Sequence, residues 1–177
     1  MRLSIALATE ADVEAIAVLR TAAADHLTAE YGHGHWSSAT SSRGVSGDLK
    51  NSAVLIARSG TDIVGTLRLA RKKPWAIDPA YFTTVARPLY LTSMAVHPVS
   101  QRRGVGHRLL EAAVDTVRNW HGDAIRLDAY DAPAGAGGFY LKCGFCEVGR
   151  VTYRNVPLIY FEFLVEGPGA SQTFLAL

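Results

Sequence analysis

The chain has 177 residues, of which 49% are hydrophobic and 19% are charged, so its size and composition fit one ordinary globular domain. The formal net charge is only +2, and no run of like charges exceeds residues 71–73, which argues against a nucleic-acid-binding protein. The sequence has no charged-then-apolar leader and no apolar run near the roughly 18 residues that span a bilayer, so we expect a cytoplasmic protein without membrane contact.

The amino-terminal part predicts a strand, a long helix and a polar loop. Leu3–Leu7 is an apolar run of strand length. Residues 9–12, Thr-Glu-Ala-Asp, fit a capping box at a helix start, and apolar residues then recur at helical spacing as far as Tyr31-Gly32. Residues 32–51 are rich in serine and glycine, which predicts a mobile loop with at most one weak helix. Such loops often contact substrates.

The middle of the chain predicts a hairpin, an irregular excursion and a central strand. Residues 53–57 and 63–70 are apolar and β-branched, and the glycine-containing segment between them predicts a hairpin loop. Residues 71–88 contain several prolines and aromatic residues, and long irregular segments of compact domains tend to be functional. The β-forming run over residues 90–96 predicts a strand that Pro98 ends.

The last part of the chain alternates helices and strands. A helix is predicted from residues 104–106 to Trp120, and a second one between Pro133, which fits a first turn, and Gly144, which fits a helix end. The predicted strands are residues 124–129, 147–151 and 158–164, the last two as an antiparallel pair. We find no repeat and no linker, and therefore expect one domain over residues 1–166 with a short, frayed tail over residues 167–177.

A candidate anion site lies between the central strand and the helix that follows it. Gly104 and Gly106 fall in the first helical turn, where backbone N–H groups lack intrahelical acceptors and the helix dipole is positive. Glycines allow a phosphate to approach these groups, and Arg102, Arg103 and Arg108 add positive charge. The spacing fits neither a P-loop nor the Gly-x-Gly-x-x-Gly dinucleotide fingerprint, whose third glycine is replaced by leucine.

Two other motifs are weaker indications of a redox or metal site. Cys143 and Cys146 have the spacing of a redox or half-zinc motif, but they follow a helix and the sequence holds no second cysteine pair. His33 and His35 flank a glycine in the polar loop, which is a weak metal signal. We therefore expect neither a zinc site nor a catalytic disulfide, and no bound metal.

The anion loop resembles a known family. Residues 101–106, Gln-Arg-Arg-Gly-Val-Gly, are similar to the Gln/Arg-x-x-Gly-x-Gly/Ala loop of the GNAT N-acetyltransferase superfamily, and residues 139–145 are similar to its Phe/Leu-Tyr-x-Lys-x-Gly-Phe signature. The predicted order of elements also matches that family over nearly the whole chain. The resemblance implies an α/β fold with a central mixed, mostly antiparallel sheet of about seven strands and helices on both faces. An asparagine frequent near the start of the family's last helix is replaced here by an Ala-Gly-rich segment.

The resemblance also implies a reaction. It is the transfer of an acetyl group from acetyl-coenzyme A, as cosubstrate, to a primary amine of a small molecule or protein, by direct attack in a ternary complex without a metal. In the family, the glycine loop binds the coenzyme pyrophosphate, and the central strand binds the pantetheine arm and polarises the thioester carbonyl. The corresponding residues here are Met94, Ala95, Val96, Gln101, Arg102, Arg103, Gly104, Val105, Gly106 and His107.

The resemblance assigns the catalytic acid more clearly than the base. Tyr140 corresponds to the family's general acid, which protonates the coenzyme thiolate. Candidate bases are Ser93 acting through water, Asp128 at the end of its strand, and Glu10, although each of these residue types is more often solvated or capping.

The sequence says less about the acceptor and about partners. We predict that five residues line the acceptor pocket. Asp128 is one of them, and the other four are aromatic residues that would form its walls: Tyr31, Trp36, Tyr81 and Phe82. Family resemblance and the aromatic closing strands suggest a homodimer. An alternative is a non-catalytic acyl-coenzyme A sensor, which would need no acid at residue 140.

Overall fold

Within residues 2–165, seven strands and four α-helices follow one another in the order that the sequence pattern predicts. The structure is a computed structural model, and it describes residues 2–165. The elements are β1 (Leu3–Leu7), α1 (Val13–Tyr31), α2 (Ser42–Asn51), β2 (Ala53–Ser59), β3 (Asp62–Ala70), β4 (Pro88–Val96), α3 (Val105–Asn119), β5 (Ala124–Tyr130), α4 (Gly137–Lys142), β6 (Cys146–Tyr153) and β7 (Val156–Leu164). Short 3₁₀ turns cover Glu10–Asp12, Pro79–Tyr81 and Pro98–Ser100.

The strands form one sheet in the order β1-β2-β3-β4-β5-β7-β6. Its β4–β5 pair is parallel, with residues 88–90 opposite residues 124–126. The β1–β2, β2–β3, β5–β7 and β6–β7 pairs are antiparallel. The predicted fold class, a mixed and mostly antiparallel sheet flanked by helices, is therefore confirmed.

The described residues fall into two compact units, and the first contains the chain up to Ala70 together with Thr92–Ala112. In this unit α1 and α2 pack on the face of β2 that carries Val54 and Ile56. The start of α3 packs on the opposite face of β3, because a Cβ at Gly65 would lie 2.8 Å from Val105 and 2.9 Å from Leu109. Glycine at residue 65 therefore permits close helix–sheet packing.

The predicted ends of α1 are both observed. The Asp12 carboxylate accepts hydrogen bonds from the backbone N–H of Thr9 at 2.8 Å and from its hydroxyl at 3.0 Å. These hydrogen bonds, together with Arg58, hold the pKa of Asp12 below its usual value despite the opposing effect of burial. Gly32, with φ of 81°, ends the helix and donates its N–H to the Thr28 carbonyl at 2.9 Å.

The second unit contains Arg71–Leu91 and the described residues from Ala113 onward. The segment that connects β3 to β4 is packed on its sheet through Ile77 and Phe82, which are buried with Tyr90 and Tyr160. The Tyr160 hydroxyl donates to the Ala76 carbonyl and accepts the Asp78 N–H at 3.2 Å. The predicted excursion is thus held to the strands by its own aromatic residues.

The prediction that a helix starts near Pro133 was wrong, because α4 begins at Gly137. Residues 132–135 form a turn in which the Gly135 N–H bonds to the Ala132 carbonyl at 2.8 Å. A Cβ at Gly135 would lie 1.9 Å from the Tyr130 carbonyl oxygen, so the turn packs directly on the end of β5. Local composition does not reveal this close backbone contact.

Two predictions concern the chain as a whole. Within residues 2–165, no helix is long and apolar enough to cross a bilayer. The tail over residues 167–177 lies outside the described residues, and the single domain over residues 1–166 stays a prediction.

Candidate functional site

The carboxyl half of β4 has an irregular backbone, and its residues are only partly buried. Ser93 is exposed and has φ of 52°, a left-handed conformation that costs roughly 1–3 kcal/mol for a residue other than glycine. Met94, Ala95 and Val96, which follow it, are half-buried. The His97 N–H donates to the Val64 carbonyl at 2.9 Å, which ties the end of β4 to β3. Strain of this kind is frequent at functional sites.

The loop after β4 leads directly into the first turn of α3. The Gln101 side chain donates to the Val96 carbonyl at 3.2 Å, so it fastens the loop to the strand. Arg102 and Gly104 have φ of 57° and 78°, and the Arg108 N–H donates a 3.0 Å hydrogen bond to the Gly104 carbonyl. Gly104 therefore stands at the amino-terminal end of α3.

The space above Gly104 is open. A Cβ built at this position would meet no atom within 4 Å, and the left-handed φ favours glycine independently. Val105 and Gly106 are the first two residues of α3, where N–H groups have no intrahelical acceptor. The start of α3 thus combines N–H groups without intrahelical acceptors, a positive dipole end and open space beside Gly104, which are the features of an anion site.

Charged side chains surround this loop. Arg102 and Arg103 are exposed. Arg108 and His107 both lie 3.6 Å from Glu111 carboxylate oxygens, so Glu111 balances part of the positive charge at the start of α3. Arg102 and Arg103 are therefore better placed than Arg108 to attract an anion from solvent.

Tyr31 is near the same loop. It is exposed at the end of α1, and the neighbouring Glu30 raises its pKa, whereas the charge of Arg102 acts in the opposite direction. A predicted acceptor residue and a predicted coenzyme residue therefore lie within electrostatic reach of each other. Trp36 is half-buried, packs over Gly34 and donates its indole N–H to the Gly32 carbonyl at 3.1 Å.

Tyr140 lies on α4 in the second unit and is buried among aromatic rings. Its ring centroid is 5.4 Å from that of Phe139, 5.6 Å from that of Phe145 and 5.8 Å from that of Phe161. Burial, together with the charge of Asp128, raises the pKa of Tyr140 far above its ordinary value. The phenol is therefore protonated at neutral pH, which is the form that donates a proton.

Asp128 is a carboxyl group among tyrosines. It stands opposite Tyr160 in the β5–β7 ladder, and burial raises its pKa. Its charge in turn contributes to raising the pKa values of Tyr130, Tyr140 and Tyr160. A carboxyl group with a raised pKa is a common feature of functional sites, although structural networks produce it too.

The remaining candidates occupy varied surroundings. Phe82 is part of the buried cluster with Tyr160, while Tyr81 is exposed and packs edge-on against Tyr160 at 5.5 Å. Glu10 is exposed and receives a 3.4 Å hydrogen bond from Ser46.

The two cysteines of the Cys-x-x-Cys segment are both in the thiol form. Cys143 is buried and Cys146 exposed, and no disulfide joins them. Within residues 2–165, no group of three or more histidine, cysteine, aspartate or glutamate side chains could hold a metal ion.

Two charged networks were not anticipated from the sequence. In the second unit, buried Arg126 lies 3.1 Å from buried Glu162, whose carboxylate also accepts the Thr83 N–H at 3.1 Å. In the first unit, Asp48 pairs with Arg20 and Arg68. The available signal was a charged residue inside an apolar run, as in Leu-Arg-Leu at residues 67–69 and Phe-Glu-Phe at residues 161–163.

Comparison with known proteins gives a family match and a set of similar folds. A model described as the Acetyltransferase (GNAT) family matches residues 12–145, which is more than half of the chain. No curated protein sequence matches.

Several solved structures have the same fold. The Escherichia coli ribosomal-protein-S18-alanine N-acetyltransferase is 17% identical, with a TM-score of 0.70 over 96% of this chain and 99% of its own. The PaiA N-acetyltransferase of Thermoplasma acidophilum in complex with coenzyme A is 15% identical, with a TM-score of 0.71 over 92% and 100%. The protein yncA of Salmonella typhimurium, solved with its cofactor acetyl-CoA, is 17% identical, with a TM-score of 0.69 over 95% and 96%. At these identities the likeness establishes the fold.

Proposed function

Since the chain belongs to the GNAT family of acetyltransferases, we propose that it transfers the acetyl group of acetyl-coenzyme A to a primary amine of a small molecule or protein. The transfer is direct, within a ternary complex. The observation that carries this proposal is the left-handed Gly104 at the start of α3, with open space where a side chain would stand. A coenzyme pyrophosphate is the anion that this family places at such a loop.

The coenzyme is held by the loop and by β4. The N–H groups at the start of α3, from Val105 through His107, point their donors at the pyrophosphate, and Arg102 and Arg103 supply charge. Gln101 acts by fixing the loop to the Val96 carbonyl, as its 3.2 Å hydrogen bond supports. The backbone groups of the half-buried residues Met94, Ala95 and Val96 bind the pantetheine arm and polarise the thioester carbonyl.

Acetyl transfer then requires two proton movements. The amine nitrogen bonds to the carbonyl carbon as the carbon–sulfur bond breaks, and the departing thiolate takes a proton from Tyr140. The proton lost by the amine goes to a base. Of the three candidates, Asp128 has the strongest physical support, because burial raises the pKa of its carboxyl group. Ser93 and Glu10 are both exposed to solvent. If Asp128 is not the base, Ser93 accepts the proton of the amine through a water molecule.

The proposal is tested by thiol release from acetyl-coenzyme A. The assay is run with panels of polyamines, amino acids, aminoglycosides and peptides. We expect release that depends on at least one amine class and yields an N-acetylated product by mass spectrometry. Tight coenzyme binding without acetylation of any amine would instead favour the acyl-coenzyme A sensor.

A further inference from the structure

A charged network joins α1, α2 and β3 within the first unit. Arg20 donates from Nη1 to Asp48 Oδ2 at 2.8 Å, and Arg68 Nε lies 3.3 Å from Asp48 Oδ1. Arg68 Nε also donates to the Ser52 hydroxyl at 2.7 Å. The side chains are 8%, 20% and 25% exposed for Arg20, Asp48 and Arg68 respectively, so the network is partly or largely withdrawn from water.

The network has more positive than negative charge. Two guanidinium groups share one carboxylate, which leaves one positive charge unbalanced within the network. Arg20 is more than nine-tenths buried, and its Nε and Nη2 atoms have no hydrogen-bond partner among the described residues. Unbalanced charge that is withdrawn from water is costly, and an anion beside Arg68, the more exposed of the two arginines, would balance it.

The network extends to β4, the strand that is proposed to bind the thioester. Arg68 is opposite Val54 in the β2–β3 ladder, so it lies on the sheet face covered by α1 and α2. Its Nη1 atom is 3.5 Å from the Thr92 hydroxyl, and Thr92 immediately precedes the left-handed Ser93. An anion held by Arg68 would therefore sit next to the residues proposed to hold the thioester.

We propose that Arg68, supported by Arg20 and Asp48, binds a carboxylate on the acceptor, so that the acceptor is an amine that carries a carboxylate group. This inference rests on the proposed transferase function. The guanidinium fork matches a carboxylate in two parallel hydrogen bonds, and the long Thr92 contact leaves this end of Arg68 able to turn to a ligand.

The first test compares acceptors that differ only in the charge of one group. Acetylation rates are measured for free amino acids and their carboxamides, and for O-phosphoethanolamine against ethanolamine as the phosphate arm. In the Arg68→Gln variant, we expect kcat/KM for the carboxylate acceptor to fall by about tenfold to a hundredfold, the effect of losing charge-assisted hydrogen bonds. The rate for the carboxamide should change by less than about threefold.

Arg58→Gln is the matched control. Arg58 is also ion-paired with an aspartate, Asp12, in the same unit and has a similar exposure of 31%. Its loss should leave the ratio of carboxylate to carboxamide rates unchanged. Arg68→Lys retains charge without the fork and should show an intermediate ratio, and it replaces Arg68→Gln if the latter does not fold by circular dichroism.

A second test does not depend on catalysis. Binding of N-acetylglycine, N-acetylmethionine, N-acetylglutamate and their carboxamides is measured by calorimetry on the protein saturated with coenzyme A. Carboxylate-selective binding that Arg68→Gln removes supports the site, even where no amine is acetylated and the transferase function fails. Equal binding of carboxylates and carboxamides, or binding of none of them, would overturn the carboxylate assignment, even where acetyl transfer to other amines is established. Acetylation of O-phosphoethanolamine without acetylation of any carboxylate acceptor in the first test would overturn it as well.

Discussion

At the scale of single residues, the proposed acid role of Tyr140 distinguishes an enzyme from a sensor. Replacing it by phenylalanine removes the hydroxyl and keeps the ring that packs against Phe139, Phe145 and Phe161. Acid catalysis is worth roughly 10²–10⁴-fold, so kcat with an identified amine should fall on that scale. Coenzyme affinity should change little, because one hydrogen bond contributes only about 0.5–1.5 kcal/mol. A kcat within about threefold of the parent would make Tyr140 a packing residue.

Asp128 predicts a distinctive dependence of stability on pH. Burial raises its pKa above the 3.8 of an ordinary aspartate, so the folded protein binds this proton more tightly than the unfolded chain. Stability contributed by the protonated group is complete below pH 3.8 and is lost as the pH rises through the folded-state pKa. Relative to Asp128→Asn, the parent should become less stable over this window in denaturant titrations at successive pH values. A difference that grows in the opposite direction would contradict the raised pKa.

Sequence and structure agree best where the chemistry is local. The glycines and arginines of the 101–106 loop could be placed at a helix start because caps and periodicity are short-range features. The left-handed Ser93 could not, because serine carries no local signal for that conformation and the surrounding sheet imposes it.

At the scale of elements, the segment between β3 and β4 is predicted to depend on a buried ion pair. Arg126 bonds to Glu162 and donates to the Thr83 carbonyl at 2.5 Å, while its guanidinium lies 4.9 Å from the centre of the Phe82 ring. Glu162→Gln leaves Arg126 buried without its charge partner, and losses of about 3–5 kcal/mol are typical of such changes. Urea denaturation should show this loss of unfolding free energy.

The matched control for this ion pair is a pair on the surface. Glu147→Gln breaks the contact between Glu147 and Arg150, which is exposed and solvent-screened, and should leave the urea midpoint near that of the parent. Equal midpoints for Glu162→Gln and Glu147→Gln would show that the buried pair does not fasten the segment.

The positions of the helices and strands were largely predictable from the sequence, whereas the contacts between elements that lie far apart in the sequence were not. All seven strands follow from apolar, β-forming runs, and α1 ends at the predicted Gly32. The start of α4 depended instead on a backbone contact between Gly135 and β5, which no sequence period encodes. Periodicity indicates which face of an element is apolar, and packing partners decide the rest.

At the scale of the whole molecule, we propose that two chains associate. The sheet order leaves β1 and β6 as its edge strands, and edge strands present unpaired backbone groups to a partner. Light scattering on the purified chain, at several concentrations, should give twice the mass of 19.1 kDa. A monomer at every concentration would remove this proposal without affecting the catalytic one.

The whole fold also explains which site residues the sequence could not bring together. Arg20 and Asp48 are 28 residues apart, and Arg126 and Glu162 are 36 apart. Each pair forms only because strands and helices distant in sequence become neighbours in space. The proposed coenzyme loop could be predicted from the sequence because its residues are consecutive, whereas the proposed acceptor contact at Arg68 required the structure.

The central claim is that the start of α3 binds the coenzyme, and calorimetry of acetyl-coenzyme A with two glycine variants tests it most directly. Gly104 and Gly60 both have left-handed φ, of 78° and 64°, and both face open space, so valine strains the backbone at either position. Gly60 lies in the β2–β3 hairpin loop and is not one of the residues of the proposed anion site. We expect folded Gly104→Val to lose coenzyme binding and Gly60→Val to bind like the parent. Unchanged affinity in a folded Gly104→Val variant would contradict the account.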